Sequence, residues 1–130
     1  MPDNIIAMKI LNSTKRTVIA EETERSESFW GKALGLMFRK ELPREKAFVM
    51  VFEKDGNPGI WMPFMRFAID VIFLDSKKRV VGIHENVRPM GFNPKTWKVY
   101  YPDKPAKYII ETNSGEVKKS HTELGNSIEF

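Results

Sequence analysis

Apolar residues in this chain recur mainly at every second position and seldom at the three-to-four spacing of a helix. Ile6, Met8 and Ile10 alternate with Ala7 and Lys9, the period of a strand with one face buried. Asn12-Ser13-Thr14-Lys15 has turn composition, and a β-branched run over residues 17–20 follows, so a hairpin is expected. Residues 47–52 form a compact apolar strand before the turn-rich run 53–59. Residues 67–74 read as a strand buried on much of both faces. Asp75-Ser76-Lys77-Lys78 then turns it into residues 79–84, the strongest hairpin signal in the chain. Further strands are expected over residues 97–101 and 108–112, with a last one ending at Phe130.

Helical signals are few. Thr23 or Ser26 can cap a helix reaching about Leu34, with Phe29/Ala33 and Trp30/Leu34 as i,i+4 pairs on its apolar face. Gly35 ends it, and Leu36-Met37-Phe38 leads towards the core. Residues 114–121 suit one or two helical turns capped by Ser114, and residues 86–96 form an irregular loop. Seven to nine strands and one or two short helices, without repeating helical crossovers, exclude a doubly wound α/β fold. The expected fold is mainly β: a compact antiparallel β barrel or jelly-roll-like sandwich, one domain over residues 1–130.

The absence of cysteine among the 130 residues excludes disulfides, thiolate nucleophiles and zinc–sulfur sites. Twenty-one Lys and Arg face 17 Asp and Glu, a net charge of +4, in scattered groups such as Lys15-Arg16, Lys77-Lys78-Arg79 and Lys118-Lys119. That scatter disfavours a nucleic-acid surface. The longest nearly apolar region, residues 60–74, is broken by Pro63, Arg66 and Asp70, so no membrane partner is expected. The start of the chain lacks an export pattern, and a cytoplasmic location follows as an expectation.

Four motifs in order carry a family resemblance. Lys32-Ala33-Leu34-Gly35-Leu36-Met37 comes first, then Trp61-Met62, then Ala68-Ile69-Asp70-Val71-Ile72-Phe73-Leu74-Asp75 with Arg79-Val80-Val81. Tyr108-Ile109-Ile110-Glu111-Thr112-Asn113-Ser114-Gly115 and Leu124-Gly125-Asn126 close the set. Together they resemble the family numbered 192 among domains of unknown function, also called uncharacterised protein family 0127. The chain departs from that pattern at Pro63-Phe64-Met65, where a basic–Asn–Thr run is usual, and at Asn126, where Asp is usual. The resemblance implies a small β barrel or jelly-roll-like fold and a candidate surface, but no reaction.

Asp70 is the most informative polar residue, because it interrupts Phe67-Ala68-Ile69 and Val71-Ile72-Phe73. Buried, a carboxylate here must be paired or hydrogen-bonded, or else take up a proton more readily than usual. It then serves either as a structural acceptor of backbone N–H groups or as a ligand-binding or acid–base group. Trp61, Met62 and Phe64 can form an apolar wall beside it, or simply pack. Gly35, Leu36, Met37 and Gly125 are read as structural, Gly35 through a positive φ after the helix. His84 and His121, 37 residues apart, occupy no compact ligand motif, so no metal and no cofactor is expected.

The leading function is a small binding or interaction module. Its pocket or groove near Trp61 and Asp70 would take a small apolar or amphipathic ligand or a protein partner. Two readings stand beside it. One is a small-molecule hydrolase using Asp70 with Glu111 or a histidine. The other is a single-strand nucleic-acid binder using Trp97, Tyr100 and Tyr101 among Lys95, Lys98 and Lys104.

Overall fold

The computed structural model describes residues 5–7, 9–27 and 35–130. Nine strands are assigned among them: β1 (Ile5–Ala7), β2 (Ile10–Asn12), β3 (Thr17–Ala20), β4 (Glu22–Ser26), β5 (Lys46–Gly56), β6 (Ile69–Leu74), β7 (Val80–Val87), β8 (Ala106–Asn113) and β9 (Ile128–Glu129). One short helix, α1 (Glu116–Lys119), and a single 3₁₀ turn at Pro94–Thr96 complete the elements. Six strands form one sheet in the order β1-β4-β5-β8-β6-β7, and three form another in the order β3-β2-β9.

Neither sheet closes into a barrel among the described residues. Among the described residues, strands β1 and β7 are the edges of the larger sheet, and β3 and β9 of the smaller. Nor is the large sheet wholly antiparallel, because β4 runs parallel to β5.

Strand β6 has all six residues buried, as its near-continuous apolar run requires. Alternation along it supplies two cores. Ile69, Val71 and Phe73 join Phe48, Met50 and Ile109 on one face, under Leu36, Leu42, Ile60, Met62 and Met65. Ile72 and Leu74 join Val49, Tyr108 and Ile110 on the other, against Ile10 and Ile19 of the small sheet and Val117 of α1. The hairpin β6–β7 and the hairpin β2–β3 are both antiparallel, as expected.

Other expectations need correction. The alternating run near the N-terminus is two strands in different sheets, β1 beside β4 and β2 beside β3. The charged run 22–26 is strand rather than the start of a helix. Thr23 and Ser26 are buried there and pair in register with Ala47 and Met50. Helix preference is worth only tenths of a kcal/mol per residue, less than a five-residue ladder to a buried neighbour. The pairs Phe29/Ala33 and Trp30/Leu34 lie outside the described residues. Residues 97–101 form only a single antiparallel bridge, Tyr100 to Ile60, because the prolines around them leave no longer ladder.

Asn126 retains an acceptor despite lacking a carboxylate. Its Oδ1 accepts from Asn12 Nδ2 at 2.9 Å and from the backbone N–H of Glu123 at 2.9 Å. Gly125 beside it has φ +88°, a conformation that favours glycine.

The loop after the 3₁₀ turn crosses β7 closely at Gly82. A methyl group there would meet the Cα of Pro102 at 2.8 Å and the Phe73 ring at 3.0 Å. Gly82→Ala is therefore expected to cost about 1–3 kcal/mol, because backbone and a packed ring must both move. Urea denaturation reads this directly, and an unchanged midpoint would refute the contact.

Candidate functional site

Asp70 is fully buried. Its register partner is Thr112, and its side chain lies on the face of the large sheet that also carries α1. Oδ1 accepts the backbone N–H of Asn86 at 2.8 Å. Oδ2 accepts those of Gly115 and Val117, both at 3.0 Å. Asp70 therefore caps α1 from a strand far upstream and also anchors β7. Ser114, expected as the cap, instead donates to Asn86 Oδ1 at 3.0 Å. The residue at the cap position is Gly115, whose φ of +103° disfavours a side chain.

Glu111 lies on the opposite face. Its partners across the sheet are Phe48 and Val71, and Glu24 lies beyond Phe48 on β4. Arg39 spans this row. It donates to both Glu24 oxygens, at 2.7 and 3.0 Å, and its guanidinium carbon stands 5.9 Å from the centre of the Phe48 ring. The bidentate Arg39 contact is the main reason the Glu24 carboxyl sits below its usual range. Glu111 behaves oppositely. It is 4% exposed, and burial pushes its carboxyl up to about 7 against the opposing pull of Arg39.

These positions separate the proposed acid–base partners. Asp70 and Glu111 point to opposite faces of one sheet and do not converge. His84 shares the Glu111 side, with Val71 between them, two strand spacings or about 10 Å away. The His84 Nε2–H donates to the Tyr101 carbonyl at 2.7 Å. His121 lines a charged cleft of about 470 Å³ with Lys15, Glu85, Val117, Lys118 and Glu123; Val117 gives its backbone N–H to Asp70, but the fully buried Asp70 is not among the lining residues. Among the described residues, no three His, Asp or Glu side chains gather as metal ligands.

The expected apolar wall divides between surface and core. Trp61 is 55% exposed, whereas Met62 beside it is buried in the core under Leu36 and Met65. Met62 thus packs the interior rather than lining a surface, and its carbonyl accepts the Met90 N–H at 3.1 Å. Phe64 is 64% exposed and has φ +61°. Its ring stacks on that of Phe38, 5.0 Å between centres at 19°. Phe38 is also exposed and has φ +68°, and its N–H donates to the Phe64 carbonyl at 2.8 Å. Bulky residues in the left-handed region are strained, so this pair is held by its surroundings.

Phe38 is the partner that sequence reasoning sent towards the core. The only local hint is its place directly after Gly35-Leu36-Met37 and before charged Arg39-Lys40. Gly35 does take a positive φ, 44°, and Leu36 packs into the core.

The family model DUF192, described as "Uncharacterized ACR", matches residues 10–130. This chain belongs to the DUF192 family. Curated relatives of this DUF192 chain carry the name UPF0127. One from Pyrococcus furiosus is 39% identical over 122 residues, covering 93% of this chain and 97% of that protein. One from Pyrococcus abyssi is 36% identical over 121 residues, covering 93% and 96%. A solved structure from Sinorhizobium meliloti shares the fold with a TM-score of 0.84 at 19% identity, covering 99% of this chain and 96% of its own. A protein of unknown function from Novosphingobium aromaticivorans superposes with a TM-score of 0.79 at 20% identity, covering 98% and 94%. The DUF192 assignment brings no specific function with it.

Proposed function

We propose that this DUF192 chain is a binding module that engages an apolar or amphipathic partner through Trp61, Phe64 and Phe38. The observation that carries this reading is the exposed Phe38–Phe64 stack, built from two residues in the left-handed region. Each strained residue costs on the order of 1–3 kcal/mol, which burial of its own ring does not offset, since both rings stay in water. A rigid aromatic pair loses little entropy on contact and suits the centre of an interface. Asp70 is given a structural part in this reading, and the two sheets facing each other across a shared core are taken as a sandwich within one domain. A cytoplasmic location belongs to the same reading.

The test is titration with the fluorescent amphiphilic anion ANS, whose aromatic rings report apolar surface, followed by a panel of amphipathic helical peptides. The Trp61→Ala, Phe64→Ser double variant should lose the dye response at least fivefold. Its melting temperature should stay within a few degrees, because both side chains are exposed. An equal response in wild type and variant would refute the assignment of this face.

A further inference from the structure

The segment from Arg88 to Lys107 differs from the rest of the surface in both charge and exposure. It holds five basic residues, Arg88, Lys95, Lys98, Lys104 and Lys107, and one acidic residue, Asp103. Its net +4 equals the formal charge of the entire chain, so the remaining residues are electrically balanced. None of the five basic groups enters an ion pair among the described residues. The same segment exposes Phe92 completely, and Trp97, Val99 and Tyr101 by about half.

Phe92 cannot fold back, because hydrogen bonds fix the turn that bears it. The Gly91 N–H donates to Thr96 Oγ1 at 2.8 Å, and the Trp97 indole N–H donates to the Gly91 carbonyl at 3.0 Å. The backbone N–H groups of Lys95, Thr96, Trp97 and Lys98 bond to Asn93 Oδ1 and to the carbonyls of Asn93, Pro94 and Thr96. Such a turn carries most of its own donors satisfied, so it can leave water at little cost. Neither the Phe92 ring nor the Trp97 ring stacks on another ring among the described residues. A strand-reading surface needs successive rings along a groove, whereas these stand at a projecting tip.

We propose that this loop docks the protein onto an anionic lipid surface. Phe92 and Trp97 enter the boundary between headgroups and acyl chains, and Lys95, Lys98 and Lys104 lie among the headgroups. No membrane-crossing helix is needed, and among the described residues none is long and apolar enough. The expectation of no membrane partner rested on spanning segments alone, and a peripheral face escapes it. The inference uses residues separate from the Phe38–Phe64 face and stands independently of it.

The experiment is co-sedimentation with vesicles of phosphatidylcholine alone or with about a third phosphatidylserine, at low and at physiological salt. Wild type should sediment with the phosphatidylserine vesicles and lose that binding as salt rises. Phe92→Ser should weaken binding at least tenfold with an unchanged melting temperature, since the ring touches nothing that holds the fold. The Lys95→Glu, Lys98→Glu variant should lose preference for phosphatidylserine. Absence of wild-type sedimentation at low salt would overturn the proposal. So would binding indifferent to Phe92→Ser, or retention on single-stranded oligonucleotide with no affinity for vesicles.

Discussion

Asp70→Ala is expected to lower the free energy of unfolding by about 4 kcal/mol, enough to remove most of the margin of a small domain. The substitution withdraws one carboxylate and leaves the N–H groups of Asn86, Gly115 and Val117 without an acceptor. The Val117 bond is buried, so water cannot readily replace it. Asp70→Asn retains one oxygen but turns an NH₂ towards donors, and an intermediate loss of about 2 kcal/mol is expected. Urea denaturation with matched m-values measures both. A loss below about 1 kcal/mol for Asp70→Ala would show that the three bonds do not hold α1 and β7, and a ligand role for Asp70 would return.

The second large effect concerns pH. Glu111 has an ordinary carboxyl pKa of 4.5 when unfolded and one pushed up to about 7 in the fold. Between these values the folded state holds more protons than the unfolded state. Stability is therefore highest, on this account, below pH 4.5 and falls as pH rises through 7, by about 3 kcal/mol in total. Glu24 works in the other direction: its lowered carboxyl adds stability above the ordinary carboxylate range and loses it as pH falls. Glu111→Gln should flatten the decline between pH 5 and 8 and leave the variant more stable than wild type at pH 8. Denaturation midpoints across that range test it. An unchanged slope in the variant would place the charge cost elsewhere.

Strand β6 and its hairpin to β7 were legible because an unbroken apolar run bounded by Asp75-Ser76-Lys77-Lys78 has few other uses. Asp70 was legible as an anomaly for the same reason. Acceptance of backbone N–H groups was one of its two readings, but which groups was not legible, since the helix it caps lies 45 residues along the chain and Ser114 offers a nearer candidate. The strand at Glu22–Ser26 was hidden by its charge: what stabilises it is the parallel register with β5, a long-range fact. Trp61 and Phe64 could be read as surface candidates. Met62 turns inward two residues after the bridge between Ile60 and Tyr100, a long-range contact that no local pattern announces. Phe38 was missed because a left-handed backbone at phenylalanine is imposed by neighbours and is not written in its residue type.

The small sheet joins strands far apart in the sequence, residues 10–20 with residues 128–129. Its middle strand, β2, pairs with β3 on one side and with β9 on the other, and Asn12 donates to Asn126 across 114 residues. A growing polypeptide thus carries β2 with one open edge until β9, more than a hundred residues later, has been made. Such distant closure slows folding and leaves the unfinished chain prone to pairing with its neighbours.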